Sequence, residues 1–389
     1  MDLELDPEQR LLVASARSFL ARACPIAHVR AMEADELGFS PDLWREMASL
    51  GWLGTAVPVA SGGSGRSLLD AALLCEEMGR ALLPAPFLST CVVAAPLIEE
   101  VGSDLERDRW LRAIAQGEAI ATLALAEPGW RDEWGEVATE LRRSGADEAD
   151  LVLAGRKHFV HFAAGADLVL VVARARAGAI ADGAPDGLHL VALGDGAAGV
   201  SVTRLDTLGG DHQYEVLLDD VAIGRALLLG ASSPRGADRV AVAVERALDR
   251  AAVGSVAYAA GAARRVLEMT VDYARTREQF GRPIGSFQAV AHRCVDMQSD
   301  VDALEVLARR AAWSLAHDPD GAALAVSAAK AYAADALRRI FAHAHQVHGA
   351  IGFSMEHDLQ LFSRRAKAIE LAWGSGALHR ERVARAIGL

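Results

Sequence analysis

The most constraining feature of this sequence is that the spacing of its apolar residues changes twice along the chain. In the first part, apolar positions recur at helical spacing, and helix start and stop signals frame segments such as SPDLWREMASLG (40–51). In the middle part, apolar runs are short and are separated by Gly, Asp and Pro, as in DLVLVVARA (167–175). Helical spacing then returns and continues to the end. The chain is therefore predicted to fold as helices, then strands, then helices.

These changes of spacing divide the chain into three predicted domains. We expect an N-terminal helical domain (1–118), a middle β-barrel or sandwich domain (119–233) and a C-terminal four-helix bundle (234–389), which is an α+β multi-domain fold. Apolar residues at alternating spacings of three and four between Phe287 and Leu315 predict one long helix with a seam toward its neighbours. The preceding segment is rich in Ala and Gly, so other helices can approach it closely.

Charge and cysteine content exclude several classes of function. The chain of 389 residues has a formal net charge of −12, so no basic field is present to collect nucleic-acid phosphates. The four cysteines are scattered and are expected to be reduced, mostly buried thiols. The acidic start does not resemble a signal peptide, and no apolar run is long enough to span a membrane. We expect a soluble, cytoplasmic protein.

A glycine-rich stretch and a group of histidines could each suggest a ligand site. VASGGSGRS (59–67) lacks the G-x-x-x-x-G-K-[ST] pattern and lies between helical segments, so it is interpreted as a turn. His343, His345 and His348 lie close together, but on a helix the first two face opposite ways. The sequence therefore predicts no metal site.

Two stretches carry a specific resemblance to a known family. YARTREQFGRPIGSFQAV (273–290) and QVHGAIGF (346–353) resemble signatures of the acyl-CoA dehydrogenase family, and weaker similarities extend over nearly the whole chain in the same order. The resemblance implies FAD as cofactor and an acyl-CoA thioester as substrate. A carboxylate would take the α proton while the β hydrogen leaves as hydride to the flavin. It also implies a dimer of dimers and an electron acceptor such as an electron-transfer flavoprotein.

The same resemblance assigns residues to an FAD that is seated in a neighbouring chain. Arg277 matches the Arg that reaches the neighbour's pyrophosphate, which a guanidinium fork suits. Phe280 and Gln288 match other residues of this cross-chain site. A loop that lets backbone approach the ADP half is matched by Gln346, Gly349 and Gly352.

The side that would hold the chain's own flavin departs further from the family. Glu127, Pro128 and Gly129 match a cofactor motif, but Ala126 precedes them where Thr is usual. Phe159 matches an aromatic residue that packs on the flavin ring. His161 stands where a Thr usually bonds the flavin, and it either forms that bond or is merely a packed polar residue. Ser375 is also assigned to the cofactor side.

The two positions that hold the catalytic carboxylate in the family contain other residues here. Trp373 aligns with the usual Glu, and Ala251 aligns with the alternative position on the first bundle helix. Indole is a donor only and accepts no proton. Glu370, one turn before Trp373, is the fallback base, although a solvated helix carboxylate is the favoured interpretation.

Three hypotheses on function follow from this pattern. The first is a self-sufficient, homotetrameric acyl-CoA dehydrogenase with Glu370 or an unusual residue as base. The second is the base-less subunit of a heteromeric dehydrogenase, completed by a Glu-bearing paralogue, as in actinobacterial relatives that act on bulky lipid or steroid acyl-CoA esters. The third is a flavin-dependent monooxygenase or other oxidase on the same fold, for which His158 and His161 are the candidate residues.

Overall fold

The computed structural model of this chain describes residues 4–129, 137–143, 151–175, 187–224, 227–229 and 236–389. The predicted border between residues 233 and 234 lies outside these ranges. Helices occupy both ends of the chain and a β-sheet occupies the middle, which confirms the predicted fold class. No helix in these ranges is both long enough and apolar enough to cross a lipid bilayer.

The N-terminal helices begin at the capping residues that the sequence provides. Ser40 accepts a hydrogen bond from the Leu43 N–H at the start of the third helix, and Asp6 forms a capping box with Gln9 at the start of the first. The glycine-rich stretch 59–67 contains one short 3-10 turn, so its interpretation as a turn is confirmed. The helices are α1 Pro7–Ala23, α2 Ile26–Ala34, α3 Pro41–Ser49, α4 Leu68–Ala81, α5 Ala95–Val101 and α6 Asp104–Ala115, with a π-helix at Leu88–Ala94.

The middle region forms a single mixed sheet of eight strands within the described residues. The hydrogen-bonded order is β6-β7-β3-β2-β4-β5-β8, and β1 pairs in parallel with β4. Strand β4 is buried along almost its whole length, which explains its continuous apolar sequence. The strands are β1 Ala121–Ala124, β2 Glu140–Arg143, β3 Leu151–His161, β4 Leu168–Ala175, β5 Gly187–Gly194, β6 Val200–Leu205, β7 Gln213–Ile223 and β8 Leu228–Leu229.

The C-terminal region consists of long helices with one short hairpin between the first two. Its elements are α7 Gly236–Thr276, β9 Glu278–Gln279, β10 Arg282–Pro283, α8 Gln288–His317, α9 Pro319–His348, α10 Leu359–Leu371 and α11 Gly376–Ala386. The predicted seam of α8 is confirmed at its centre, where Met297, Val301 and Leu304 are fully buried. Toward the ends of the helix the seam residues are half-buried.

Glycines allow α7 to lie directly against α4. A Cβ atom at Gly79 would lie 1.8 Å from the Tyr258 carbonyl oxygen, and one at Gly261 would lie 1.7 Å from the Glu76 carbonyl oxygen. The backbones are therefore too close for any other residue at these two positions. The close approach predicted from the Ala- and Gly-rich segment is confirmed, and it joins the N-terminal helices to the bundle.

Candidate functional site

The residues assigned to a neighbour's cofactor lie around the hairpin that joins α7 to α8. We call the exposed residues Arg277, Phe280, Gln288, Gln346 and Gly349 the hairpin face. The two-residue loop of this hairpin, Phe280–Gly281, has φ values of +56° and +76°. Positive φ at both positions is typical of a type I′ turn, in which Asn or Asp usually precedes Gly. Phe280 is thus held in a strained backbone conformation with its ring 90% exposed.

The polar side chains of the hairpin face make no hydrogen bonds to the described part of the chain. Arg277 follows the last residue of α7, Gln288 is the first residue of α8, and Gln346 lies in the last turn of α9. All three are exposed. A guanidinium and two amides with unused donors suit an anionic ligand such as a pyrophosphate.

The loop that follows α9 requires glycine at its first position. Gly349 has φ +64° and ψ −144°, a conformation that side chains strongly disfavour, and a Cβ there would point into open space. Gly352 is buried, and its Cβ would lie 3.0 Å from that of His348. Backbone at Gly349 is therefore open to a ligand, while Gly352 is a packing glycine.

On the sheet, the Glu127 side chain is committed to a buried ion pair. Its Oε1 accepts from Lys157 Nζ at 2.6 Å and from Thr139 Oγ1 at 2.7 Å, and its Oε2 accepts from the Ala138 N–H at 2.7 Å. Burial alone would raise the pKa of Glu127, but Lys157 and these donors hold it below its ordinary value. Burial lowers the pKa of Lys157 to about 8, which leaves the pair ionised at neutral pH. The sequence assigned Glu127 to the cofactor, but its carboxylate instead fixes the strand ends around it.

Phe159 is turned outward by a β-bulge. The register of β3 against β7 shifts between Lys157 and Val160, and Phe159 has φ +56° with its ring 54% exposed. His158 anchors the bulge, because its Nε2 lies 2.6 Å from Glu215 Oε2. An exposed, strained aromatic ring at this point is suited to stacking on a planar ligand. Pro128 and Gly129 lie at the edge of the described residues, where a Cβ at Gly129 would meet nothing.

His161 stacks on Trp373, which joins the sheet to the end of the bundle. The ring centroids are 5.3 Å apart and the planes differ by 17°. Burial lowers the pKa of the His161 imidazole below its ordinary 6.5, while the Asp211 carboxylate opposes this shift and the Arg365 guanidinium adds to it. The imidazole is therefore neutral at physiological pH, with one face covered by the indole. The stack on Trp373 shows that His161 is packed, and its bond to a flavin stays a prediction.

Trp373 lies in a tight turn between α10 and α11 and not on a helix. We call Trp373–Ser375 the inner turn. Trp373 has φ +59°, and a Cβ at Gly374 would lie 2.6 Å from His379 Nε2. That nitrogen donates to the Trp373 carbonyl oxygen at 3.2 Å, and the Ser375 hydroxyl accepts from the Leu378 N–H to cap α11. The Trp373 carbonyl oxygen and the Ser375 hydroxyl oxygen are thus engaged within the chain.

Glu370 is neither solvated nor free to act as a base. Its side chain is 5% exposed, so the expected solvated carboxylate is wrong. Arg338 Nη2 and Lys367 Nζ lie 2.7 Å and 3.1 Å from its Oε1. Burial alone would raise the pKa of Glu370, but these cations hold it below its ordinary value. A carboxylate with a lowered pKa is a weaker base, so its geometry disfavours the fallback role.

The alternative base position adds no titratable group, and the histidines form no metal-binding cluster. Ala251 is fully buried on α7. Within the described ranges, no cluster of three His, Cys, Asp or Glu side chains could hold a metal ion.

Four residues of the site were not identified from the sequence. Lys157 lies in a run with strand spacing, where a wholly buried ammonium is unexpected. Asp211, Arg365 and His379 come from three different segments and meet His161 or Trp373 only in the fold. One sequence signal could have indicated the ion pair between Lys157 and Glu127. It is a Glu-Pro-Gly motif followed, thirty residues later, by a Lys within a predicted buried strand.

Three family profiles match consecutive parts of this chain. The acyl-CoA dehydrogenase N-terminal domain matches residues 6–118, the middle domain matches 122–221, and the C-terminal domain matches 240–388. Together they cover most of the sequence.

Similar proteins extend over nearly the full length of the chain. Acyl-CoA dehydrogenase FadE27 of Mycobacterium tuberculosis is 32% identical over 369 residues, which is 93% of this chain and 92% of that protein. The ChsE4-ChsE5 complex of the same organism includes a chain with a TM-score of 0.86 and 29% identity, covering 100% of this chain and 99% of that one. A variant of the Tcur3481-Tcur3483 steroid ACAD has a TM-score of 0.84 and 30% identity, with 98% of this chain and 97% of that one covered.

Proposed function

The chain belongs to the acyl-CoA dehydrogenase family of FAD-dependent oxidoreductases, and from this premise we propose that it is the base-less subunit of a heteromeric acyl-CoA dehydrogenase. The reaction would be α,β-dehydrogenation of an acyl-CoA thioester. A paralogue that retains the catalytic Glu would supply the complete active site, and the assembly would be a dimer of dimers. We place it in the cytoplasm because its cysteines are unpaired thiols.

One observation carries the proposal: the polar side chains of the hairpin face have no partner in the described ranges, whereas the inner turn holds an indole at the position that aligns with the family's catalytic carboxylate. Arg277 and Gln346 are exposed and their side chains have no hydrogen-bond partner within the described ranges, so these side chains are available to a ligand outside the chain. Trp373 is stacked on His161 and hydrogen-bonded by His379. Glu370 is occupied by two cations. The residues that would serve the chain's own reaction are therefore missing or engaged.

The hairpin face fits the polar half of FAD. The Arg277 guanidinium would bind the pyrophosphate of FAD seated in the partner, the Gln288 and Gln346 amides would orient it, and the open backbone at Gly349 would allow close approach. When bound, FAD supplies the hydride acceptor of the reaction. The Trp373 indole accepts no proton, so the α proton would go to a carboxylate of the partner.

The names of similar proteins support a substrate class. Two similar structures bear paired component names, and one of them is described as a steroid enzyme. We propose a bulky lipid or steroid acyl-CoA as substrate and an electron-transfer flavoprotein as electron acceptor.

The test is the FAD content of the purified protein. Expressed alone and purified without added FAD, this chain should retain little FAD. Co-expressed with a Glu-bearing paralogue, it should co-purify with about one FAD per two chains, because one complete site forms at each unlike pair. About one FAD per chain in the protein alone, bleached by an acyl-CoA, would contradict the proposal. Turnover that consumes oxygen and inserts it into the product would instead favour the monooxygenase alternative.

A further inference from the structure

Between α9 and α10 the chain displays apolar side chains on its surface. In this segment, residues 349–358, Phe353 is 70% exposed, Met355 is 65% exposed and Ile351 is 49% exposed. The segment begins at Gly349 of the hairpin face. Three histidines, His345, His348 and His357, lie behind or within it, and we call them the histidine cluster.

The surroundings of His345 favour a neutral ring. The Ser363 hydroxyl donates to the Leu359 carbonyl oxygen at 3.0 Å, so its oxygen accepts from His345 Nε2 at 2.6 Å. The other nitrogen, His345 Nδ1, is buried and has no partner in the described part of the chain. The ring also stacks on Phe353, with centroids 4.4 Å apart. A proton on Nδ1 would be a buried donor without an acceptor, directly beneath the exposed segment.

The other two histidines also have defined neutral forms. His348 Nδ1 donates to the Ala344 carbonyl oxygen at 2.9 Å, and its ring stacks on Tyr273 and meets the His357 ring edge-on at 5.0 Å. His357 Nδ1 accepts from the Leu359 N–H at 3.1 Å. This bond caps the first turn of α10, whose N-cap residue makes no side-chain cap. Protonation of His357 would remove the acceptor and place a cation at a helix N-terminus.

Charged groups on the surrounding elements do not favour the protonated cluster. From α2, Arg30 donates to the Met355 and Glu356 carbonyl oxygens and to the Asp358 carboxylate, so it neutralises the acidic residue nearest to α10. Glu356 is exposed and hydrogen-bonded by Ser354. From α8, Arg293 contacts the ring of the neighbouring His343. No unpaired carboxylate in the described ranges is placed to stabilise an imidazolium in the cluster.

The direction of the pKa shifts agrees with this geometry. Burial lowers the pKa of His345 below its ordinary 6.5, and His357 lowers it further. Burial also lowers the pKa of His348; the bond to Ala344 opposes this, while His357 and His345 add to it. The held segment therefore binds fewer protons than the released one. As the pH falls below about 6.5, the released form becomes more stable relative to the held form. Above that value, the cluster does not favour the released form.

We propose that the histidine cluster is a pH-sensitive support of segment 349–358, which holds the segment while the His345 and His348 rings are neutral and releases it when these two rings take up protons. Gln346 lies between His345 and His348, and Gly349 is the first residue of the segment. A link between the cluster and a partner's FAD therefore rests on the function proposed above. Release of the segment would withdraw this part of the hairpin face, and acid would weaken the assembly.

Hydrogen–deuterium exchange of the full chain tests the support directly. Between pH 7.5 and pH 5.5, after correction for intrinsic rates, the amides of 349–358 should exchange roughly tenfold faster for each unit of pKa shift that is released. The amides at the centre of α8 should be unaffected. The double variant His345→Gln, His357→Asn should lose the part of this response that His345 provides, while His348 remains; Gln keeps the donor to Ser363 and Asn keeps an acceptor for the Leu359 N–H.

The control variant is His317→Gln, at the exposed end of α8, which should respond to pH as the wild type does. Equal exchange of the segment at both pH values in the wild type, or a full response in the double variant, would overturn the proposal. If the double variant does not fold, NMR titration of the wild-type rings decides, because pKa values at or above 6.5 for His345 and His348 would also overturn it. The chain alone suffices for these measurements, so a pH response without any contribution to FAD binding would contradict the proposed function and leave the support intact.

Discussion

The hairpin face and the inner turn both contain an aromatic residue in a strained backbone conformation, but their surroundings differ. Phe280 has φ +56° and is 90% exposed, and near it the Arg277 side chain has no hydrogen-bond partner among the described residues. Trp373 has φ +59°, and it is stacked on His161 and hydrogen-bonded by His379. A strained backbone next to polar side chains without partners indicates a surface that binds a ligand from outside the chain. Strain with a stacked ring and a hydrogen-bonded carbonyl oxygen indicates a residue that is packed within the chain.

The same contrast explains why the two regions should respond differently to substitution. A change on the hairpin face removes a group that the folded chain does not use, so binding should suffer and stability should not. A change near the inner turn or its supporting strands removes a buried partner, so stability should suffer first.

The largest effect is expected for Lys157→Met, on the strand that carries His161. Removing the ammonium leaves the Glu127 carboxylate buried without its cation, which should lower the free energy of unfolding by about 3–5 kcal/mol. Urea unfolding followed by circular dichroism measures this. Lys367→Met is the matched control, because it also removes a Lys–Glu pair, but Lys367 is 46% exposed and the loss should be about 0–1 kcal/mol. If both variants lost the same free energy of unfolding, burial would not determine how much each Lys–Glu ion pair stabilises the fold.

The next effect is expected for Arg277→Ala on the hairpin face. The variant should fold as the wild type does, but the assembled protein should bind FAD about 10- to 100-fold more weakly, because a hydrogen bond to a charged group contributes about 1.5–3 kcal/mol. Fluorescence titration of the FAD-stripped assembly measures the affinity. Arg275→Ala, two residues away and also exposed, should bind FAD normally. A loss of stability in Arg277→Ala, or equal weakening in both variants, would remove the contrast between the two regions.

The smallest effect is expected for Glu370→Gln beside the inner turn. Its partners are half exposed, so the variant should lose only about 1 kcal/mol of unfolding free energy at pH 7. Because the pKa of Glu370 lies below its ordinary 4.5, the wild type has this advantage above that value and should lose it as the pH falls further. Unfolding curves of the wild type and the variant between pH 3 and pH 7 test whether their free energies of unfolding become equal at low pH. Abolished turnover in an otherwise stable assembly would instead identify Glu370 as the base.

Local spacing was sufficient for much of the fold. The α3 and α4 caps, the α8 seam and the apolar strand β4 follow from short sequence patterns, because each depends on neighbours within a few residues. The π-helix at Leu88–Ala94 and the edge strand β6 were not anticipated. A π-helix has no local spacing signal, and β6 is mostly exposed, so few of its residues show a buried alternation.

The candidate site was predicted unevenly for the same reason. Arg277, Gln346 and Gly349 were identified in signature stretches and lie exposed, as a contact with another chain requires. Glu127 was assigned to the cofactor, but its carboxylate binds Lys157. Glu370 was expected to be solvated or catalytic, and it is neither free nor exposed. The chemistry of a side chain depends on its partners in other segments. A single sequence does not show which distant residues lie within contact distance.

The sequence by itself determined the order of helices and strands, the family resemblance and the absence of a carboxylate at positions 251 and 373. Residue identity and short-range period are sufficient for these, because they involve no contact between distant segments. Only the tertiary structure decided that Trp373 stacks on His161 and that His345, His348 and His357 support one exposed segment. Such contacts depend on how helices and sheet pack, and packing depends on the excluded volume and hydrogen bonding of the whole chain at once.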